Sequence, residues 1–550
     1  MAPFLPLAQG SAERLRDTGN LGGCSTADLL SPEVQTLLVR LRKDLRAAGY
    51  NAETLATVLG SAASAATRGF RLPIERRLRE RAESNDATTA DTAVALFVAG
   101  LPRCQNEVDA VFTRTTTFGL ATLGFVNVVD AGESDRVVMP SVDIVPHQFI
   151  DDLGVADYWI VSDQAELSRG ESLPENFVLG VGGATKSLAQ LAVHEPVDSL
   201  FELGTGSGVL ALLATRYART VVASDISERA LSFTAANAIL NEVPDLNLRL
   251  GNLFEPVVGM TFERILTNPP FVITPRGEAV PAYEYRDGGM VGDGLIRAVV
   301  QGIEPHLVPG GVAQLLGNWE YTSERDEHSL GPVREWLQGS TLGGWCIERE
   351  RQSAASYAET WIRDGGTLPR TPEFDALYTT WVNDFAERGV SDVGFGYLNL
   401  RAPSPSSAQV PREFEVRGET LGNNPFGLRT VVAARLRMAT HIQSMNETAF
   451  LALRPVVTTD VTEHRHYLPG EENPAVIQLV QGGGFGRTVN ADTALAACVG
   501  ACDGELSIGA ISAALSSLLD ANERELTRVL VERMRELLLA GFLRLPEIEE

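Results

Sequence analysis

Phe201-Glu202-Leu203-Gly204-Thr205-Gly206-Ser207-Gly208 is followed by Val209, Leu210, Leu212 and Leu213. An apolar run ends at a carboxylate, glycine recurs at three alternate positions, and apolar residues then resume at helical spacing. This reads as strand, tight turn, helix. Glycine in the turn lets backbone N–H groups and the helix start come close to a ligand. The dinucleotide fingerprint would need its third glycine one place later, where this chain has Val209.

Apolar runs at 199–203, 220–224, 247–250, 263–267, 312–317, 343–348 and 393–400 alternate with helical segments around this turn. Strands separated by helices call for an α/β domain, a seven-stranded and mostly parallel sheet covered on both faces. An extra helical piece is expected from about 366 to 390 within it.

The strand ends carry the chemistry. Glu202 sits beside Gly204, Thr205, Gly206 and Gly208, where a carboxylate repels a pyrophosphate but favours an ammonium or sulfonium. Asp225, in Asp225-Ile226, ends the next strand and suits the two hydroxyls of a ribose. Asn252, in Asn252-Leu253, ends the third, where an amide suits an adenine edge. A ribose, an adenine and a positive charge together describe S-adenosyl-L-methionine.

Arg264-Ile265-Leu266-Thr267 then runs into Asn268-Pro269-Pro270-Phe271. The nitrogen of an amide or exocyclic amine is a poor nucleophile, because its lone pair is delocalised. Two acceptors aimed at its N–H bonds localise that pair. The Asn268 side-chain oxygen and the Pro269 carbonyl are the candidates, with Pro270 holding Pro269 extended. Phe271 offers a face for a flat group. Catalysis of this kind is positioning and electrostatics. Asn423-Asn424-Pro425-Phe426 is a near copy with no strand pattern before it, and reads as a turn.

At 550 residues the chain has room for about two to four domains. Helical patterns near 31–49, 52–66, 74–83 and 89–117, then a valine-rich hairpin between Leu120 and Pro146 turning at Ala131–Asp135, suggest a mainly helical, winged-helix-like unit over 1–154. The sheet domain is expected over 155–402. Ala402-Pro403-Ser404-Pro405-Ser406-Ser407 reads as a linker. An α+β winged-helix-like unit over 410–550 follows, with helices near 492–502, 507–519 and 522–541 and a strand within Gly541–Pro546.

No run of eighteen apolar residues marks a membrane span. The start, Met1-Ala2-Pro3-Phe4-Leu5-Pro6, lacks a signal-peptide pattern. Five scattered cysteines suggest a reduced, cytoplasmic setting, and Cys498 with Cys502 makes a poor zinc pattern, so no metal is expected. The net charge of −25 repels phosphate backbones. Arg68, Arg71, Arg76, Arg77, Arg79 and Arg81 form the one basic cluster singled out. Glu75, Glu80 and Glu83 interrupt it, as on a solvated helix face.

Residues from about 178 to 320 resemble a class I S-adenosylmethionine-dependent methyltransferase with a Rossmann-like sheet. The resemblance rests on Phe201–Gly208, Ala223-Ser224-Asp225-Ile226, Ala236-Asn237-Ala238, Gly251–Pro256, Thr267–Phe271, Tyr285–Gly289, Gly292-Asp293-Gly294 and Leu307–Gly311. The double-glycine and Asp-Gly segments are most similar to the HemK/PrmC-like release-factor glutamine methyltransferases. The chain has Phe271 where tyrosine is common there and Asn252 where aspartate is common. The resemblance implies S-adenosylmethionine as methyl donor and a glutamine side-chain nitrogen of a macromolecular acceptor, a release factor or ribosomal protein. The Asn-Pro-Pro clamp is shared with ribosomal RNA guanine-N2 and adenine-N6 methyltransferases, so an RNA base is the alternative acceptor. A regulatory protein that binds the cofactor without catalysis is the alternative of a different class.

Overall fold

The computed structural model describes residues 5, 23–66, 70–130, 136–169, 174, 176–277, 280, 283, 285–322, 330–404, 411–416, 424, 427–443 and 445–549. Outside them lie the expected turn Ala131–Asp135, Arg68 of the basic cluster, the linker beyond Ser404, and the Asn423-Asn424-Pro425-Phe426 copy except Asn424.

The central sheet contains β1 (Val197–Leu203), β2 (Ala218–Asp225), β3 (Asn247–Leu250), β4 (Phe262–Thr267), β5 (Leu307–Thr322), β6 (Gly343–Ser353) and β7 (Val390–Arg401). Between them come α2 (Val209–Ala214), α3 (Glu228–Leu240), α4 (Gly294–Ile303), α5 (Gly331–Trp336), α6 (Ala354–Asp364) and α7 (Pro372–Glu387), with α1 (Gly183–Leu191) preceding β1. The order across the sheet is β3-β2-β1-β4-β5-β7-β6. β3, β2, β1, β4 and β5 pair in parallel, while β7 is antiparallel to both β5 and β6.

The expected seven strands become nine. Cys24–Ser25 adds antiparallel to β3, and Arg412–Val416 adds parallel to β6. Both are short edge pieces whose pairing depends on a partner distant in sequence, so no local periodicity announces them. β1 and β4 run side by side, yet β2 lies on the outer side of β1. The chain direction across the sheet reverses there, and the loops at the carboxyl ends of these strands border a crevice. The strands are covered on both faces, which is why they read as continuous apolar runs: Leu200, Phe201, Ile265, Leu315 and Leu316 are all fully buried.

Before the sheet domain, the helix Pro32–Ala47 starts as its sequence predicts, with Pro32 in the first turn and the Ser31 hydroxyl accepting from the Val34 N–H at 3.3 Å. The helical stretch expected over 89–117 is broken into Thr89–Phe97, Gln105–Val111 and Thr116–Thr122. Gly100, with φ of +63°, and Pro102 end the first piece. The basic cluster is only in part a solvated face: Arg71 pairs with Glu75 and Arg76 with Glu80 at the surface, whereas Arg81 is buried and forks onto both oxygens of Asp91. A hairpin of Val142–Asp151 with Gly154–Asp163 straddles residue 154. Asn237 of α3 and Asn241, which caps that helix, seam its second strand onto the sheet domain. Each gives its side-chain oxygen and nitrogen to one residue's backbone N–H and C=O, Val161 for Asn237 and Trp159 for Asn241.

After the sheet domain, the helices Thr493–Gly500, Ile508–Leu519 and Glu523–Ala540 lie where the sequence places them, capped by the side chains of Asp492, Ser507 and Asn522. The three-stranded antiparallel sheet of Val461–His466, Val476–Gln481 and Thr488–Ala491 was not anticipated. The first of these strands is mostly exposed and carries Glu463, His464, Arg465 and His466, which masks the usual alternation. Helix Arg429–Gln443 docks on the sheet domain, with Arg429 donating to the Ala189 carbonyl at 3.0 Å and Arg401 to that of Leu436 at 3.0 Å. Cys498 and Cys502 are buried in this unit's core.

Asp151, Asp152 and His194 gather where the hairpin, β1 and this docking helix meet. Arg216 pairs with Asp151 at 2.7 Å, and Arg429 lies 3.5 Å from Asp152. These guanidiniums already balance both carboxylates, which disfavours a cation. Among the described residues no helix is long and apolar enough to cross a membrane.

Candidate functional site

A cavity of about 520 Å³ opens at the carboxyl ends of β1, β2, β3 and β4. Its wall includes Glu202 near the end of β1 with Gly204, Thr205 and Gly206 after it, Asp225 at the end of β2 with Ile226 after it, Asn252 and Leu253 after β3, and Asn268, Pro269 and Pro270 after β4. Four segments far apart in sequence thus converge as the strand ends predicted. Gly208 and Phe271 are not part of the wall.

The glycine turn is held from outside the cavity. Gly206 has φ of +56°, and space for several ångströms around a built Cβ is open, so its backbone faces the cavity without obstruction. Gly208, with φ of +87°, caps α2, and a Cβ there would lie 2.7 Å from Thr234. The Thr234 hydroxyl donates to the Gly206 carbonyl at 3.0 Å, and the Asn237 amide to the Ser207 carbonyl at 2.9 Å. α3 thereby satisfies the turn's carbonyls from behind.

The Asp225 carboxylate is fixed by two N–H donors, Gly206 and Ser227, each at 2.9 Å and each on a different oxygen. A carboxylate has about four lone-pair sites, so both oxygens keep capacity to accept from a pair of hydroxyls. Asp225→Ala is expected to weaken binding of S-adenosylmethionine by about 1–3 kcal/mol. Calorimetry that finds unchanged affinity would reject the ribose role.

Glu202 is almost fully buried and accepts from the Thr205 hydroxyl at 2.7 Å. Burial, with the Asp225 charge adding, pushes its carboxyl up to about 8 against the downward pull of Thr205 and the Ala211 N–H. Near neutrality the carboxyl is therefore largely protonated, and a bound cation draws it into the charged form. Affinity for the cationic cofactor is expected to rise with pH up to about 8, with proton release on binding. Calorimetry in buffers of different ionisation enthalpy reads that proton, and Glu202→Gln should abolish it. The same raised value makes the unliganded fold lose Glu202's contribution as pH climbs from about 4.5 to about 8.

Asn268 lies at the far end of the cavity, its Nδ2 donating to the Thr185 hydroxyl of α1 at 3.4 Å. Its Oδ1 is buried and has no hydrogen-bond partner among the described residues. A buried acceptor without a partner, on a residue that lines a cavity, is the kind of group that a donor from outside the protein can satisfy. Thr267 Oγ1, on the same wall, is also buried and unpartnered. Phe271 turns away: its ring packs 5.4 Å from Phe395 and 6.3 Å from Trp361, and its backbone bridges Asp287. The aromatic surface at the cavity comes from Phe177 and Tyr285, whose rings meet edge-on at 5.2 Å. The Tyr285–Gly289 loop is held by Arg276, which forks onto both Asp287 oxygens, and by Arg286 on Asp364 and the Trp361 carbonyl.

Thr185, Phe177, Val178 and Leu179 line the cavity without having been singled out in the sequence. They precede the first strand, in a stretch with no periodic or motif signal. Leu253, with φ of +47°, is a non-glycine residue in the left-handed region on the cavity wall.

Residues 181–280 match the family described as Methyltransferase small domain, and residues 47–137 match a domain of unknown function. The chain is 36% identical over 140 residues to the release factor glutamine methyltransferase of Cereibacter sphaeroides, covering 23% of this chain and 49% of that protein. It is 32% identical over 152 residues to the ribosomal protein uL3 glutamine methyltransferase of Bradyrhizobium diazoefficiens, covering 26% and 46%. The chain spans about half the length of these curated relatives. Among solved structures, ribosomal protein L11 methylase from Lactobacillus delbrueckii subsp. bulgaricus matches at 22% identity over 32% of this chain and 75% of that one, with a TM-score of 0.22.

Proposed function

We propose, with the methyltransferase small domain of residues 181–280 as premise, that this chain is an S-adenosylmethionine-dependent N-methyltransferase acting on a planar amide nitrogen. Its acceptor is a glutamine side chain in a protein of the translation machinery. The observation that carries this reading is the unpartnered, buried Asn268 Oδ1 on the wall of the cavity that Glu202, the glycine turn and Asp225 also line.

The residues suit the cofactor. Asp225 takes the ribose hydroxyls, Asn252 the adenine edge, and Glu202 the positive end, while Gly204 and Gly206 leave the space beside the turn clear. S-adenosylmethionine bound here supplies a methyl group activated by a sulfonium. The chain's part is to hold the acceptor: Asn268 Oδ1 accepts one N–H of the amide, the Pro269 carbonyl accepts the other, and the nitrogen lone pair is localised. The low-polarity cavity strengthens both bonds.

The three units are read as 1–154, 155–402 and 410–550, with the flanking two as winged-helix-like grips on the acceptor. The similarity to enzymes named for protein glutamines supports a protein acceptor, and the net charge of −25 supports it over RNA. A cytoplasmic location follows from such an acceptor. Mass spectrometry of tryptic peptides and of RNA from deletion and wild-type cells tests this. Loss of a methylglutamine supports the reading. Loss of a methylated base instead assigns an RNA acceptor, and loss of neither removes the enzyme.

A further inference from the structure

Asp163 ends the second hairpin strand and does not line the cavity, yet it touches a segment of the cavity wall, called the roof below. Its carboxylate accepts from the Val178 N–H at 2.9 Å, and its own N–H donates to the Val178 carbonyl at 3.2 Å. Val178 stands between Phe177 and Leu179 in the run Asn176–Gly180, all of it cavity wall. The approach is close: a Cβ on Gly180 would lie 2.9 Å from Ser162 Oγ. Arg229 of α3 grips the same carboxylate, with Nε 3.0 Å from Oδ2 and Nη2 on Oδ1. Both side chains are largely buried. At its other end the roof meets the Tyr285 loop through Phe177.

The hairpin strand therefore reaches the site twice. Asn237 ties Val161 to the Ser207 carbonyl of the glycine turn, and Asp163 ties the roof to α3. We propose that Asp163 is a positioning residue for the cofactor. Clamped by Arg229, it holds the Asn176–Gly180 roof over the cavity and so sets how long S-adenosylmethionine stays bound. This rests on the cofactor reading above. The clamp belongs to a hairpin that lies before the matched small domain at 181–280, so that domain does not contain its whole binding site.

The roof contributes to retention rather than to first encounter, so its loss should act on dissociation. Asp163→Ala removes the acceptor for Val178 and is expected to speed S-adenosylmethionine dissociation about tenfold or more, with association changed little. Asp163→Asn keeps an oxygen that accepts from Val178 and should recover most of the lost residence time. Stopped-flow binding of S-adenosylmethionine and of S-adenosylhomocysteine to the full chain reads both rates, beside thermal unfolding. Removing Asp163 also takes a carboxylate away from the largely buried Arg229, which lowers stability. A purely structural role would lower the unfolding temperature and leave the dissociation rates alone, and that result overturns the proposal. If the alanine variant does not fold, Arg229→Gln decides, since it removes the grip on Asp163 from the other side: dissociation within about twofold of wild type in a variant whose unfolding temperature falls overturns the proposal, and faster dissociation supports it. Wild-type protein that binds neither ligand sinks the methyltransferase reading itself. Wild-type binding with unaltered variants sinks only the clamp.

Discussion

Asn268→Ala is expected to lower turnover at least about a hundredfold, the usual effect of deleting one preorganised contact to a reacting group. Binding of S-adenosylmethionine should stay within about threefold of wild type, since the proposed clamp assigns Asn268 to the acceptor and not to the ribose or adenine. The split has a structural cause. Asn268 Oδ1 is buried, unpartnered and on the cavity wall, so its capacity is unused until an N–H enters. Deleting it leaves the protein's own network almost intact, because the side chain makes only the 3.4 Å contact to Thr185. Single-turnover methylation with the acceptor fraction identified by mass spectrometry, beside calorimetry of cofactor binding, measures both halves. Comparable turnover in the variant would reject the clamp.

Asn237→Leu should be the most destabilising change among those considered. The side chain is fully buried in α3 and all its polar capacity is engaged: Oδ1 accepts from Val161, and Nδ2 donates to the carbonyls of Val161 and Ser207. Leucine fills a similar volume but strands one N–H and two C=O groups without partners. At about 1–3 kcal/mol for each of the three buried groups left unpaired, the loss is roughly 3 kcal/mol or more. Urea unfolding should show an earlier midpoint by that amount, and cofactor affinity should fall as well because the Ser207 carbonyl belongs to the glycine turn. A midpoint within about 1 kcal/mol of wild type would show that the seam between hairpin and α3 carries little.

The two variants separate function from architecture. Asn268 stands at a strand end with an empty acceptor, and its loss is read in rate. Asn237 stands inside a saturated network, and its loss is read in stability. Both asparagines are plain in the sequence, but only one declares its task there. Asn268 is followed by two prolines at the close of an apolar run, a local pattern with a local cause. Asn237 sits in the middle of a helix, where nothing nearby shows that its amide completes two backbone segments far away in sequence.

The same contrast runs through the rest of the site. Glu202, Asp225 and Asn252 were legible because each ends an apolar run, and parallel strands bring such ends to one edge. Phe271 was legible as a neighbour of the prolines, but its ring direction was not: Phe395 of β7 and Trp361 of α6 draw it into the core, and neither lies near it in sequence. The Phe177–Gly180 segment was hidden because a wall residue in a coil has no periodicity to betray it, and Thr185 because its place in a helix does not show which residue it faces.

Local pattern alone determined that a glycine turn, an acidic strand end and an Asn-Pro-Pro segment exist, because steric limits on the backbone and the burial of short apolar runs act over a few residues. Tertiary structure decided which residues they share a cavity with, that nine strands and not seven make the sheet, and that a hairpin ahead of the small domain holds the Asn176–Gly180 segment through Asp163 and is linked to the turn through Asn237. Those outcomes depend on pairing edges and filling buried hydrogen bonds between segments scores of residues apart, and only the closed, packed chain satisfies them together.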